Sequence, residues 1–118
     1  MDADTRPAER AEQPTDDQVE VAVRTLQLLG DHTRLRIVWA LLHGEYSVGE
    51  LAALVGAQPS ATSQHLAKLR LARLVRTRRQ GTRIFYVAQD VHVVQLLREA
   101  LYHADHVAQD LPDHGPTA

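Results

Sequence analysis

The 118-residue chain predicts a mainly α-helical fold, α+β in class, with a single β-hairpin wing. Three observations carry that expectation. Apolar residues recur with a helical period of about 3.6 in five segments. Between the fourth and fifth, the period changes to two around a Gly-containing turn. The third and fourth helical segments are short and separated by a tight turn, the helix-turn-helix arrangement. In this order the elements make a winged helix-turn-helix over residues 15–109, with a disordered tail at 1–14 and a flexible tail at 110–118.

Thr15-Asp16-Asp17-Gln18 forms a capping box, in which side chains at both ends of the quartet satisfy free backbone N–H groups. The helix that it opens carries Val19, Ala22, Val23, Leu26 and Leu29 on one face and ends near Gly30. Asp31 caps a second helix with Leu35, Val38, Leu41 and Leu42 inward, Trp39 beside them, and a stop at Gly44. Ser47-Val48-Gly49-Glu50 is another capping box, starting a short helix with Leu51, Leu54 and Val55 inward and Gly56 at its end. Pro59 stands at the first position of the fourth helix, where its missing N–H costs nothing, and Ala61, Leu66, Leu69 and Ala72 are its expected buried face. Residues 74–87 then alternate as two β-rich runs flanking Arg79-Gln80-Gly81-Thr82, a hairpin turn.

The last helix, over 90–109, has Val93, Val94, Leu97, Ala100, Leu101 and Ala104 on an apolar stripe. It also carries His92, His103 and His106, with Asp90 just ahead of them. Eleven residues separate His92 from His103, close to three full turns, so both rings project from nearly one side. The intervening rise is about 16 Å, and an ion bonded to imidazole at about 2 Å cannot bridge it. An antiparallel second copy would remove the difficulty, because Asp90 and His92 of one chain would meet His103 and His106 of the other, twice by symmetry. Leu97 and Leu101 are the expected seam between the two helices.

Charge is sharply partitioned behind a net −2. Residues 51–89 carry seven cations and no acid, whereas the flanking stretches are acidic. That is the electrostatic footprint of a nucleic-acid surface. There is no cysteine, which excludes disulfides, thiolate metal sites and iron–sulfur clusters and leaves imidazole and oxygen as metal ligands. No apolar run is long enough to span a bilayer and no leader stands at the N-terminus, so a soluble cytoplasmic protein without membrane contact is expected. No Gly-rich phosphate loop, nucleophile elbow or His-Glu-x-x-His motif is present, and a closed four-ligand site has no open position for catalysis, so no enzyme activity is expected.

Several stretches together resemble the ArsR/SmtB metalloregulators, over about residues 15–110. They are Asp-His-Thr-Arg-Leu-Arg-Ile at 31–37, Ser-Val-Gly-Glu-Leu-Ala at 47–52 and Pro-Ser-Ala-Thr-Ser-Gln-His-Leu-Ala-Lys-Leu-Arg at 59–70. Arg-Leu-Val at 73–75, Gly-Thr-Arg-Ile-Phe-Tyr at 81–86 and the spacing Asp-x-His-x10-His-x2-His complete the set. The resemblance implies a homodimeric transcription factor joined through its N- and C-terminal helices, usually a repressor that leaves operator DNA on binding metal. Members with sites ahead of the recognition helix use cysteines, which this chain lacks. The class with sites on the C-terminal helix matches at Asp90, His92, His103 and His106. The segment is most similar to nickel/cobalt sensors, which narrowly favours nickel or cobalt over zinc. Those sensors use further histidines beyond the helix, and His114 is the candidate here, with Asp105, Asp110 or water as other ways to raise the coordination number.

On the DNA side, Ser60, Thr62, Ser63, Gln64 and His65 are expected at the base edges and phosphates, in the opening turns of the fourth helix. Lys68, Arg70, Arg73 and the wing residues Arg78, Arg79 and Arg83 are expected on the phosphate backbone. Two other readings stay open: a metal-dependent activator, and a winged-helix regulator that answers to a non-metal effector or a partner protein.

Overall fold

The computed structural model describes residues 12–110. The assigned tails fall outside the described residues except for 12–14 and 110, and His114 lies outside them too. Seven elements follow in order: α1 (Asp16–Leu29), α2 (His32–His43), α3 (Val48–Val55), α4 (Pro59–Leu71), β1 (Val75–Gln80), β2 (Arg83–Ala88) and α5 (Val91–Asp110).

Both capping boxes form as the sequence predicts. Gln18 N–H donates to Thr15 Oγ1 at 3.1 Å and Thr15 N–H to Gln18 Oε1 at 2.9 Å. Glu50 N–H donates to Ser47 Oγ at 3.2 Å and Ser47 N–H to Glu50 Oε1 at 2.8 Å. Asp31 accepts from Arg34 N–H at 3.0 Å at the head of α2. The Arg34 backbone N–H holds the Asp31 carboxyl below the usual carboxylate range, and the Ser47 N–H does the same for Glu50. A depressed carboxylate stabilises the fold fully above its unfolded pKa and ceases to do so as pH falls through the folded value. Both contributions should therefore be present above about pH 4 and lost below it. Thermal melts taken from pH 6 to pH 3 check this: the melting temperature of an Asp31→Asn, Glu50→Gln variant should fall less on acidification than that of the parent.

α2 is the hub, packed against α1, α3, α4, α5 and β2. Ile37, Val38 and Leu41 from α2 meet Leu51 of α3, Leu66 and Leu69 of α4, Leu74, Val75, and Val93 and Leu97 of α5. Leu66 is wholly buried. Leu66→Ala should cost about 2–5 kcal/mol, because the lost transfer energy is joined by an unfilled cavity at the junction of the helices. Denaturant unfolding measures it directly.

The inward faces differ from expectation at three places. In α4 the buried side chain of the first turns is Thr62, with Ala61 and Ala72 exposed, so the stripe is Thr62, Leu66 and Leu69. In α3 Ala52 is buried while Leu54 is 57 % exposed. In α5 Leu97 is buried within its own subunit and Leu101 packs against that same core. Leu97 is therefore taken up by its own subunit's core and does not form the seam to a second helix, while Leu101 is partly engaged there and partly open. The large apolar side chains of α5 left outward are Val91, Leu96, Tyr102 and Val107. α1 buries only Leu29 and leaves Val19, Val23 and Leu26 exposed along one stripe.

The strands pair antiparallel, from Val75 opposite Ala88 to Gln80 opposite Arg83. The loop is thus Gly81-Thr82, one residue later than the predicted centre. Gly81 takes φ +65° while Thr82 stays at negative φ, the sign pattern of a II′ turn, whose twist matches the strands. Tyr46 and Tyr86 exchange backbone hydrogen bonds at 3.3 and 2.8 Å, which ties the outer edge of β2 to the segment before α3.

Candidate DNA-binding face and metal centre

α3 and α4 are set against each other by the turn at Gly56, whose left-handed backbone (φ +69°) lets Ala57 N–H return to Ala52 O. Pro59 then starts α4 from Gln58, which supplies no side-chain cap. Ser60, Ser63 and Gln64 are exposed on the first turns of α4, where short polar side chains can enter a groove. Thr62 does not join them. Its side chain is wholly buried and Oγ1 donates to Gln58 O at 2.9 Å, so it fastens the helix start to the core. His65 is half-buried, and its Nδ1 lies 3.2 Å from Arg34 Nη1.

Lys68 and Arg70 are exposed at the far end of α4. The helix ends in a Schellman arrangement: Arg73 N–H bonds Arg70 O at 2.9 Å and Leu74 N–H bonds Leu69 O at 2.9 Å. Arg73 occupies the left-handed position at φ +65°, normally glycine's. Such a conformation costs an L-residue about 1–2 kcal/mol. A guanidinium is thereby placed beside the base of the wing.

In the wing, Arg78 and Arg83 are engaged. Arg78 Nε donates to Glu45 Oε1 at 2.6 Å, Arg83 lies 3.5 Å from Glu50, and both guanidiniums flank Phe85, 4.9 and 4.7 Å from its centroid. These two tie the hairpin to the start of α3, so part of their charge is already balanced within the protein. Arg79 is exposed, and among the described residues no ion pair involves it, Lys68, Arg70, Arg73 or Arg76. Arg76, in the same acid-free run, is also exposed, next to the first residue of β1. At a two-residue spacing it shares a face of β1 with Arg78.

Asp90 caps α5. Its Oδ1 accepts from His92 N–H at 2.8 Å and Val93 N–H at 3.3 Å, which fixes the carboxylate at the helix head and leaves Oδ2 open. His92, His103 and His106 are all exposed. Tyr102 packs on the His106 ring at 4.3 Å between centroids. Glu99, exposed between the two ends of the stripe, accepts from Gln95 at 3.2 Å. Among the described residues no group of three or more His, Asp or Glu converges within one chain. Asp105 is occupied by Gln109 Nε2 at 3.1 Å. As a donor set, one carboxylate oxygen and three unburied imidazoles fit a borderline transition metal, provided that two chains bring them together. No helix among the described residues is long and apolar enough to cross a membrane.

Residues 31–77 match the family described as "Bacterial regulatory protein, arsR family". The chain is 50% identical over 99 residues to the HTH-type transcriptional regulator KmtR of Mycobacterium tuberculosis, covering 84% of this chain and 76% of that protein. It is 41% identical over 110 residues to the HTH-type transcriptional regulator NmtR of the same organism, covering 92% of each. Among solved structures, the homodimeric winged helix-turn-helix DNA-binding domain Mb0332 of Mycobacterium bovis superposes with TM-score 0.74 at 26% identity, over 87% of this chain and 98% of that one. Both curated relatives are named as transcriptional regulators. With the core, the wing and the acid-free face in place, the chain belongs to the ArsR family of bacterial regulatory proteins, which are winged helix-turn-helix transcriptional regulators.

Proposed function

We propose that this protein is a metal-responsive repressor that binds operator DNA as a homodimer and holds its effector ion between the two α5 helices. One observation carries the reading. Asp90, His92, His103 and His106 lie unburied along α5, yet no three of them converge within one chain. A second, antiparallel α5 supplies the missing half of each set. The exposed stripe Val19, Val23 and Leu26 on α1, and Leu96 and Tyr102 on α5, supply apolar surface for such a dimer. Arg98 falls near the centre of the crossing.

Bound there, the ion supplies a cross-link between subunits. The chain's own residues do the rest. α5 packs on α2, and α2 packs on α4, so a changed angle between the two α5 helices alters the separation of the two α4 helices. Half-sites one DNA turn apart tolerate only one separation. Linkage requires the effector to shift DNA affinity by the same factor as DNA shifts effector affinity. Ser60, Ser63 and Gln64 read the groove while Lys68, Arg70, Arg73, Arg76 and Arg79 hold phosphates.

Nickel or cobalt is the favoured effector, ahead of zinc. The test is the visible spectrum of the cobalt complex of the full-length protein. Weak bands mean six ligands and support nickel or cobalt sensing, with His114 among the extra donors. Intense bands mean a tetrahedral site and move the assignment to zinc. Absence of cobalt, nickel and zinc binding in calorimetry would overturn the metal reading in favour of another effector. DNA affinity with and without metal at fixed salt settles the sign: tighter binding with metal would make the protein an activator or a corepressed regulator.

A further inference from the structure

We infer that Arg34 is a positioning residue for DNA recognition, holding His65 as the neutral tautomer whose Nε2–H donates to an acceptor on the operator. The inference rests on the DNA-binding reading of α4 given above.

A guanidinium has five N–H donors and no acceptor. In the 3.2 Å contact between Arg34 Nη1 and His65 Nδ1, therefore, Nδ1 must accept. A ring that accepts at Nδ1 is neutral and carries its proton on Nε2. Nδ1 and Nε2 are separated by Cε1 and their N–H axes diverge, so the Nε2–H does not point at Arg34. Among the described residues, nothing else bonds to His65. The ring is half-buried on the same helix that exposes Ser63 and Gln64 just before it. Among the described residues that donor has no partner, and it stands one position along α4 from the exposed Gln64.

Arg34 is itself held from two sides. Its Nε donates to Leu28 O at 2.6 Å, and its backbone N–H donates to Asp31 Oδ2 at 3.0 Å. Leu28 O is one of the last carbonyls of α1 and has no partner within the helix, so the guanidinium also satisfies the α1 C-terminus. One side chain from α2 thereby joins the end of α1 to the middle of α4. Lysine could not reproduce this, because its point-like ammonium lacks the planar fork.

Two substitutions of His65 separate this role from a merely structural tie. Asparagine places an acceptor where Nδ1 was and removes the outer donor. Glutamine places a donor near Nε2 and gives up the Arg34 contact. DNA binding is measured with the full-length protein on a duplex selected by it from a random library. His65→Asn should bind about 10-fold more weakly, and His65→Gln within about 3-fold of the parent. Arg34→Met, which leaves the ring free to take either tautomer, should weaken binding by only about 2-fold, the loss expected when about half of the rings carry the proton on the wrong nitrogen, with its far-UV spectrum unchanged. Long-range nitrogen–proton NMR should find the parent His65 protonated at Nε2, and a mixture of tautomers in Arg34→Met. Duplexes with methylphosphonates or 7-deazapurines identify the acceptor, since the His65→Asn penalty should vanish on one of them. Parent-like binding by His65→Asn, or a proton on Nδ1 in the parent, would overturn the inference. If the parent itself showed no salt-dependent DNA binding, the reading of α4 would fail, and the NMR result would still stand by itself.

Discussion

His103→Ala should abolish the metal response while leaving metal-free DNA affinity within about 3-fold of the parent, since an exposed site contributes little to folding. His103 is exposed on α5 and is no part of the buried core, so its removal opens no cavity. In the dimer proposed above it is one of only two imidazoles that the C-terminal half of α5 gives to each set. Replacing groups that merely orient metal ligands costs about 10–100-fold in affinity, so deleting a ligand should cost at least about 100-fold. Gel-shift titration with nickel, cobalt and zinc, on parent and variant at one salt concentration, measures both quantities together. A full response retained by the variant would remove α5 as the effector site.

DNA affinity itself should fall about 10³–10⁵-fold between 50 and 200 mM salt, as expected when a dimer neutralises 6–10 phosphates. The cations available for this are Lys68, Arg70, Arg73, Arg76 and Arg79, which have no ion-pair partner among the described residues. Arg78 and Arg83 start from carboxylate pairs and exchange one anion for another, so their net gain is smaller. Arg79→Ala should flatten the slope of log K against log salt by about 2 per dimer, one for each copy. Arg83→Ala should change it less. A slope near zero for the parent would mean that the acid-free face only meets water.

Local features were the most legible in the sequence. Capping boxes at Thr15 and Ser47 are four-residue patterns, and both form as expected. The wing was legible because Gly81 and strict alternation leave the backbone few options, although its loop lies one residue later than the tetrapeptide suggested. Inward faces were less legible, because small residues have little apolar contrast. Thr62 is polar by composition, yet its hydroxyl bonds to the carbonyl four residues back, and its methyl group is then as easily buried as that of Ala61. A helical period reveals a stripe without revealing what the stripe faces, which is why Leu97, expected at the dimer seam, lies in its own subunit's core. The spacing of Asp90, His92, His103 and His106 was legible, as was the impossibility of a one-chain site. The pairing of Arg34 with His65 spans 31 residues and left no local trace. The same holds for the contacts that tie Arg78 to Glu45 and Arg83 to Glu50 across the fold.

A mixed dimer tests the central claim most directly. Neither the His92→Ala nor the His103→Ala homodimer retains an intact set, because each of its two sites lacks one imidazole. In a heterodimer of one chain of each kind, one site receives an intact His92 from one subunit and intact His103 and His106 from its partner. The other site lacks both. Calorimetry on the separately tagged and purified heterodimer should therefore find one tight metal per dimer, where each homodimer shows none of parent-like affinity. No recovery in the heterodimer would contradict a site shared between the two α5 helices.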